Sequence, residues 1–162
     1  MRRITTHVLI SAILCIGLLS FCVVEADACD CDKPRSATNA MDQAAAVFSG
    51  VVTEIKYLDD PKTTNGEWRI VVTFTVKQAW KNVTTKGFTL HTVYNRASCD
   101  GYAFEHGTEY LVFARKNEDA DRRHFAPTVL PQESFGVRFC GGTSLLSSAK
   151  EYLAEMGRGT IP

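Results

Sequence analysis

The placement of cysteine constrains this chain more than any other feature. Cys29-Asp30-Cys31 stands directly behind Ala26-Asp27-Ala28, a small-x-small pattern of the kind signal peptidases cut. Met1-Arg2-Arg3 supplies a positive start, and Val8 to Val24 is an apolar run ended by Glu25 and Asp27. Residues 1–28 are therefore expected to be a cleaved secretory signal peptide, and residues 29–162 one exported domain. The alternative is an uncleaved membrane anchor, but the run falls short of the roughly 20 apolar residues that span a bilayer. Cutting after Ala28 leaves Cys29 as the first residue, with a free α-amino group beside a cysteine side chain.

Cys15 and Cys22 leave with the signal, so four of the six cysteines remain: Cys29, Cys31, Cys99 and Cys140. An even number in an exported chain reads as two disulfides, for which three pairings exist. A Cys29–Cys31 ring would be very small and strained, so both N-terminal cysteines are expected to reach far down the chain. A zinc site made from the four is the competing reading. It is disfavoured because C-x-C lacks the usual ligand spacing. The formal net charge is zero, and it stays zero after the signal is removed. Without a basic field, nucleic acid is not an expected partner.

The middle of the chain alternates with the period of a strand. Ala46 to Ile55 interleaves Val47, Val51 and Ile55 with Phe48, Gly50 and Val52. Trp68 to Val76 places Ile70, Val72, Phe74 and Val76 on one face. Phe88, Leu90, Thr92 and Tyr94 mark a third strand, Tyr110 to Ala114 a fourth, and Phe125 to Leu130 a weaker fifth at an edge, because of Pro127. Asp59-Asp60-Pro61 and Asn65-Gly66 are turn-formers, and Lys116 to Arg123 reads as a solvated loop. Ser36 is a candidate N-cap for a short helix through Ala37, Ala40, Met41, Ala44 and Ala45. Ser148-Ala149-Lys150-Glu151 reads as a capping box before an apolar stripe of Ala149, Tyr152, Leu153 and Met156, stopped by Gly157. The expected fold class is mainly β: a five-stranded OB-fold-like barrel with short flanking helices and two disulfides.

Five segments together resemble the inhibitory domain of the tissue inhibitors of metalloproteinases, a netrin-like family. They are Cys29-Asp30-Cys31, Val47-Phe48-Ser49-Gly50-Val51-Val52, Ala97-Ser98-Cys99-Asp100-Gly101-Tyr102, Gly107-Thr108-Glu109-Tyr110-Leu111-Val112, and Cys140 before the last helix. They follow the family's order over nearly the whole mature chain. The resemblance implies a minimal, single-domain relative with the pairings Cys29–Cys99 and Cys31–Cys140. It implies a secreted, extracellular inhibitor, not an enzyme, with no cofactor of its own. Its partner would be a secreted or cell-surface zinc metallopeptidase whose catalytic zinc is chelated by the Cys29 amino and carbonyl groups. The inhibitory wedge would comprise Cys29, Asp30, Cys31, Asp32, Lys33 and Pro34, supported by Ala97 and Ser98 beside Cys99. Family members usually carry a small or hydroxylated residue where this chain has Asp30. A carboxylate there disfavours apolar specificity pockets, because burying it unpaired costs several kcal/mol.

Other readings remain open on the residues alone. Cys29-Asp30-Cys31 serves equally as a pair of disulfide anchors in a non-inhibitory netrin-like binding module, for which Lys77, Lys81 and Lys86 offer a basic face. A lipid anchor at Cys29 would tie the chain to a membrane, although Asp27 and Ala26 fit a bacterial lipobox poorly. Asn82-Val83-Thr84 is a sequon, so Asn82 is a possible glycosylation site. Trp68 and Trp80 read as core residues, Tyr102 and Phe104 follow Cys99 and either rim the wedge or pack, and His91, His106 and His124 show no ligand spacing. No G-x-S-x-G or H-E-x-x-H segment is present to support a nucleophilic or metal enzyme. The mature chain is expected to be monomeric.

Overall fold

A computed structural model describes residues 34, 36–58, 67–95, 101–117, 133–138 and 140–162. Strand β1 (Ala46–Tyr57) pairs antiparallel with β2 (Glu67–Lys81), and β2 pairs with β3 (Gly87–Asn95). The first half of β1 also pairs with β4 (Glu109–Lys116), which in turn pairs with the short β5 (Phe135–Gly136). The circuit β1-β2-β3-β5-β4 and back to β1 makes a five-stranded, nearly closed barrel. A two-residue strand β6 (Ser144–Leu145) adds to β4. Helices α1 (Ala37–Gln43) and α2 (Lys150–Met156) pack together outside it. Among the described residues no helix is long and apolar enough to cross a membrane.

The wall made by β1 and β4 is buried on both faces. Ala46, Phe48, Tyr110, Val112 and Ala114 point into the barrel. Val47, Leu111 and Phe113 point outward into a second cluster with Ala40, Ala44 and Ala149 of the helical layer. A strand covered on both sides reads as a continuous apolar run, as Tyr110 to Ala114 does. Ile70, Val72, Phe74 and Val76 share the inner face of β2, as the alternation predicts. Ile55 departs from the simple alternation. It packs against the inner core, whereas Val47 lies outside. The register shifts between Val52 and Glu54, and an irregularity there exchanges the two faces of the strand.

A chain of rings fills the interior. Phe135 meets Phe88 at 5.1 Å, Phe88 meets Phe48 at 4.6 Å, and Phe48 meets Phe74 edge-on at 5.4 Å. Phe74 then meets Phe104 at 5.3 Å, and Phe104 meets both Tyr110 and Tyr102. Edge-to-face pairs of this kind add about 0.5–1.5 kcal/mol beyond burial. Tyr102 and Phe104 are thus packing residues of the barrel end.

Some described strands and ends differ from the sequence expectation, and one expected strand is untested. The strand expected at Phe125 to Leu130 lies outside the described residues, as do the turn-formers at 59–66 and the loop from 118. The fifth barrel strand is Phe135–Gly136, too short to show a period. β2 runs five residues past Val76, to Lys81. The capping box at Ser148 does not form. Leu146–Ser148 is a 3-10 turn running straight into α2, and the cap position falls on Ala149, whose side chain makes no capping bond. Ser148 is already wound into the turn, so its hydroxyl does not close the helix. The other helix signals hold: Ser36 Oγ accepts from the Asn39 N–H at 3.1 Å, and α2 ends at Gly157.

Between β3 and β5 the barrel closes through side chains. Asn117 Nδ2 donates to the His91 carbonyl at 2.8 Å and to Ser134 Oγ at 2.9 Å, and the Asn117 N–H donates to the Ser134 carbonyl at 2.9 Å. Thr92 Oγ1 bonds the Val137 carbonyl at 3.3 Å. Gly136 belongs to this seam, since a Cβ there would fall 2.5 Å from Asn117 Oδ1 and 3.1 Å from the His91 carbonyl. Asn117→Ala is expected to lower stability by about 1–3 kcal/mol, because it strands the His91 carbonyl. Urea unfolding measures this, and a loss under about 0.5 kcal/mol would mean the rings alone hold the seam.

Candidate functional site

Of the expected wedge, Pro34 is described; Cys29, Asp30, Cys31, Asp32, Lys33, Ala97 and Ser98 lie outside the described residues, with Cys99. Cys140 is disulfide-bonded, and its partner also lies outside them. The site is therefore built from the described residues that flank the expected wedge.

Pro34 sits against α2. Tyr152 Oη donates to the Pro34 carbonyl at 2.7 Å. Burial, with the Glu155 carboxylate nearby, pushes the Tyr152 phenol up, so the hydroxyl keeps its proton as a donor. Its ring stands edge-on to Phe113 at 5.7 Å. One helical turn further on, Glu155 receives the first free N–H groups of α1. Ala37 N–H donates to Oε2 at 2.8 Å, Thr38 N–H to Oε1 at 3.0 Å, and Thr38 Oγ1 to Oε1 at 2.8 Å. A helix start leaves such donors without partners inside the helix. Here Ser36 serves one and Glu155, 118 residues away from Ala37, serves two more.

The described residues resume at Gly101. Tyr102 is half-buried there, and burial pushes its phenol up. The ring contacts Phe104 at 5.1 Å and Tyr110 at 5.7 Å. Tyr102 is thus seated on the ring stack. Near Cys140, a cavity of about 350 Å³ is lined by Gly142, Thr143, Ser144, Ser148, Ala149, Glu151 and Tyr152. Tyr152 is shared between this cavity and the Pro34 contact.

The remaining candidates fall elsewhere. Lys77 and Lys86 are exposed, but Lys81 Nζ donates to the Met41 carbonyl at 2.7 Å and so closes the end of α1. The expected basic face loses one of its three members to this structural bond. Asn82 is exposed at φ 51°, and its Nδ2, the atom a glycan would occupy, donates to the Ala45 carbonyl at 2.8 Å. His106 Nε2 lies 3.0 Å from the Thr53 carbonyl, and His91 Nδ1 is buried without a hydrogen-bond partner among the described residues. His124 lies outside the described residues. Among the described residues, no three His, Cys, Asp or Glu side chains gather as a metal site. Trp80 is half-buried in the outer cluster, with its Nε1 donating to the Gly157 carbonyl at 3.0 Å. Sequence reasoning missed Glu155 and Tyr152. Their spacing on α2 marks only an amphipathic helix, and their partners lie almost the full mature chain away.

No protein-family model matches this chain, and no curated protein matches it in sequence.

The Glu155 contacts have a consequence for acid stability. Hydrogen bonds from the Thr38 N–H, the Ala37 N–H and the Thr38 hydroxyl, in that order, hold its carboxyl below the usual glutamate range. A depressed carboxylate contributes stability that is full above its unfolded pKa of about 4.3 and is lost as pH falls through the lower folded value. Glu155→Gln is therefore expected to lower the urea midpoint near neutrality and to converge with wild type in acid below that range. Glu155 is exposed, so the effect is small. A difference independent of pH would contradict it.

Proposed function

We propose that the mature chain is a secreted inhibitor of zinc metalloendopeptidases that acts through its N-terminal residue. The observation that carries this reading is Cys29-Asp30-Cys31 at the expected mature terminus, followed by a segment pinned to α2 from Pro34 onward. A barrel of the expected class and a disulfide-bonded Cys140 support it.

The chemistry follows from the catalytic zinc of the target. Such a metal holds three protein ligands and an exchangeable water. The Cys29 α-amine and carbonyl oxygen form a five-membered chelate with a metal, and in doing so displace the water needed for hydrolysis. An α-amine has a pKa near 8, so it loses its proton at neutral pH with little cost. Disulfides at Cys29 and Cys31, paired as Cys29–Cys99 and Cys31–Cys140, would hold the chelating residue rigid, so that little ordering entropy is lost on binding. Asp30 would enter the specificity pocket, Asp32, Lys33 and Pro34 would follow the cleft, and Ala97 and Ser98 would support the wedge from the side.

The role of the amine is tested by adding one alanine ahead of Cys29. The extended protein is expected to fold normally and to lose inhibition, because the chelate is gone and the added residue occupies the space of the metal. Undiminished inhibition by the extended protein would rule out zinc chelation.

Asp30 sets a second expectation. Its charge penalises apolar pockets by desolvation and favours pockets that offer a cation or water. Asp30→Thr should tighten binding to apolar-pocket metalloendopeptidases about tenfold, which is about 1.4 kcal/mol. Titration of a panel with both proteins measures it, and unchanged or weaker inhibition across apolar-pocket members would remove Asp30 from the specificity pocket.

A further inference from the structure

We propose that α2 and the tail behind it form a brace that sets the position of the inhibitory N-terminal segment, with Tyr152 and Glu155 as positioning residues. This rests on the inhibitory reading and adds to it the part of the molecule that aims the wedge.

The brace begins on the barrel. At the far end of β2, Ala79 and Thr160 exchange two backbone hydrogen bonds of 2.8 and 2.9 Å, and Thr160 Oγ1 adds a third contact to the Ala79 carbonyl at 3.1 Å. Trp80 Nε1 fixes Gly157 on the same stretch. The tail is thus tied down just beyond the last turn of α2. The helix itself is seated by Tyr152, Leu153 and Met156 on the cluster that contains Val47, Leu111 and Phe113. Both its lower face and its C-terminal end are therefore fixed to barrel strands.

From this mounted helix two polar side chains reach the N-terminal segment. They make four hydrogen bonds of 2.7 to 3.0 Å to Pro34, Ala37 and Thr38. A seven-residue helix is too short to be stable alone, so the placement of α1 is dictated by what it docks against. The four bonds fix both where α1 starts and the direction in which the chain leaves it. Pro34 is five residues from Cys29, a reach of up to about 17 Å for an extended chain. A rotation at Pro34 would therefore displace the chelating atoms within whatever play the disulfides leave. Loss of such preorganisation lowers affinity without removing any contact to the partner.

Two of the four bonds are exposed and two are part-buried, none lies in either core cluster, and their loss should change position more than stability. The test uses the full mature protein with Tyr152→Phe, Glu155→Ala and the double substitution. Tyr152→Phe removes the hydroxyl and keeps the ring against Phe113, and alanine is a favourable helix residue at 155. Two quantities are read: hydrogen exchange of peptides covering Cys29 to Met41, and inhibition of a purified zinc metalloendopeptidase that wild type inhibits. The double variant is expected to exchange about tenfold faster at Ala37 and Thr38 and to inhibit about tenfold more weakly. Exchange in β2 and β4 and the melting temperature should stay near wild type. Glu155→Gln, which keeps one acceptor oxygen, should recover part of both losses. Unchanged exchange over Cys29 to Met41 would overturn the brace, as would faster exchange with full inhibition. A wild-type protein that inhibits no metallopeptidase would defeat the inhibitory reading, and the exchange measurement would still decide whether α2 holds the N-terminal segment. Should the double variant fold poorly, Tyr152→Phe alone carries the comparison.

Discussion

Burial of the β1–β4 wall on both faces is the constraint on which the rest of the molecule depends. One face of this wall closes the barrel core through Phe48, Tyr110 and Val112. The other face, through Val47, Leu111 and Phe113, is the floor on which both helices sit. Neither α1 nor α2 is long enough to persist without that floor. Truncating a ring such as Phe48, which is fully buried, would cost about 3–5 kcal/mol by opening a cavity on the barrel side of this wall. The helices in turn carry the only described part of the proposed wedge, so the chain of dependence runs from the core to the N-terminal segment.

How far the sequence could be read follows from this arrangement. Strands with one face in the barrel announced themselves by period, as in Ile70, Val72, Phe74 and Val76. The Val52–Glu54 irregularity could not be read, because a bulge leaves the residue types unchanged while it exchanges their faces. Phe135–Gly136 was missed because two residues carry no period; its place is set by Asn117 and His91 across the seam. Ser36 was legible as a cap because it acts within three residues, whereas Ser148 misled because its capping pattern is overridden by a 3-10 turn. The same distinction explains the candidate site. Cys29-Asp30-Cys31 is a local pattern and is visible in the letters. Tyr152–Pro34 and Glu155–Ala37 are long-range pairs between residues of ordinary type.

The proposed function divides the work between covalent and non-covalent restraint. Disulfides would fix the cysteines of the wedge, and α2 fixes the backbone that follows. Such rigidity lowers the entropic cost of binding and leaves the affinity to be decided by the metal and by Asp30. An inhibitor built this way needs no induced folding, and its selectivity rests on one side chain next to the chelate.

The central claim is that the Cys29 amine and carbonyl bind the target's metal. Replacing the zinc of a susceptible metalloendopeptidase with cobalt makes the coordination visible in the absorption spectrum. Addition of the mature protein in equimolar amount is predicted to shift the cobalt bands as water is replaced by nitrogen and oxygen ligands, in step with the loss of activity. Full inhibition with an unshifted cobalt spectrum would contradict the account.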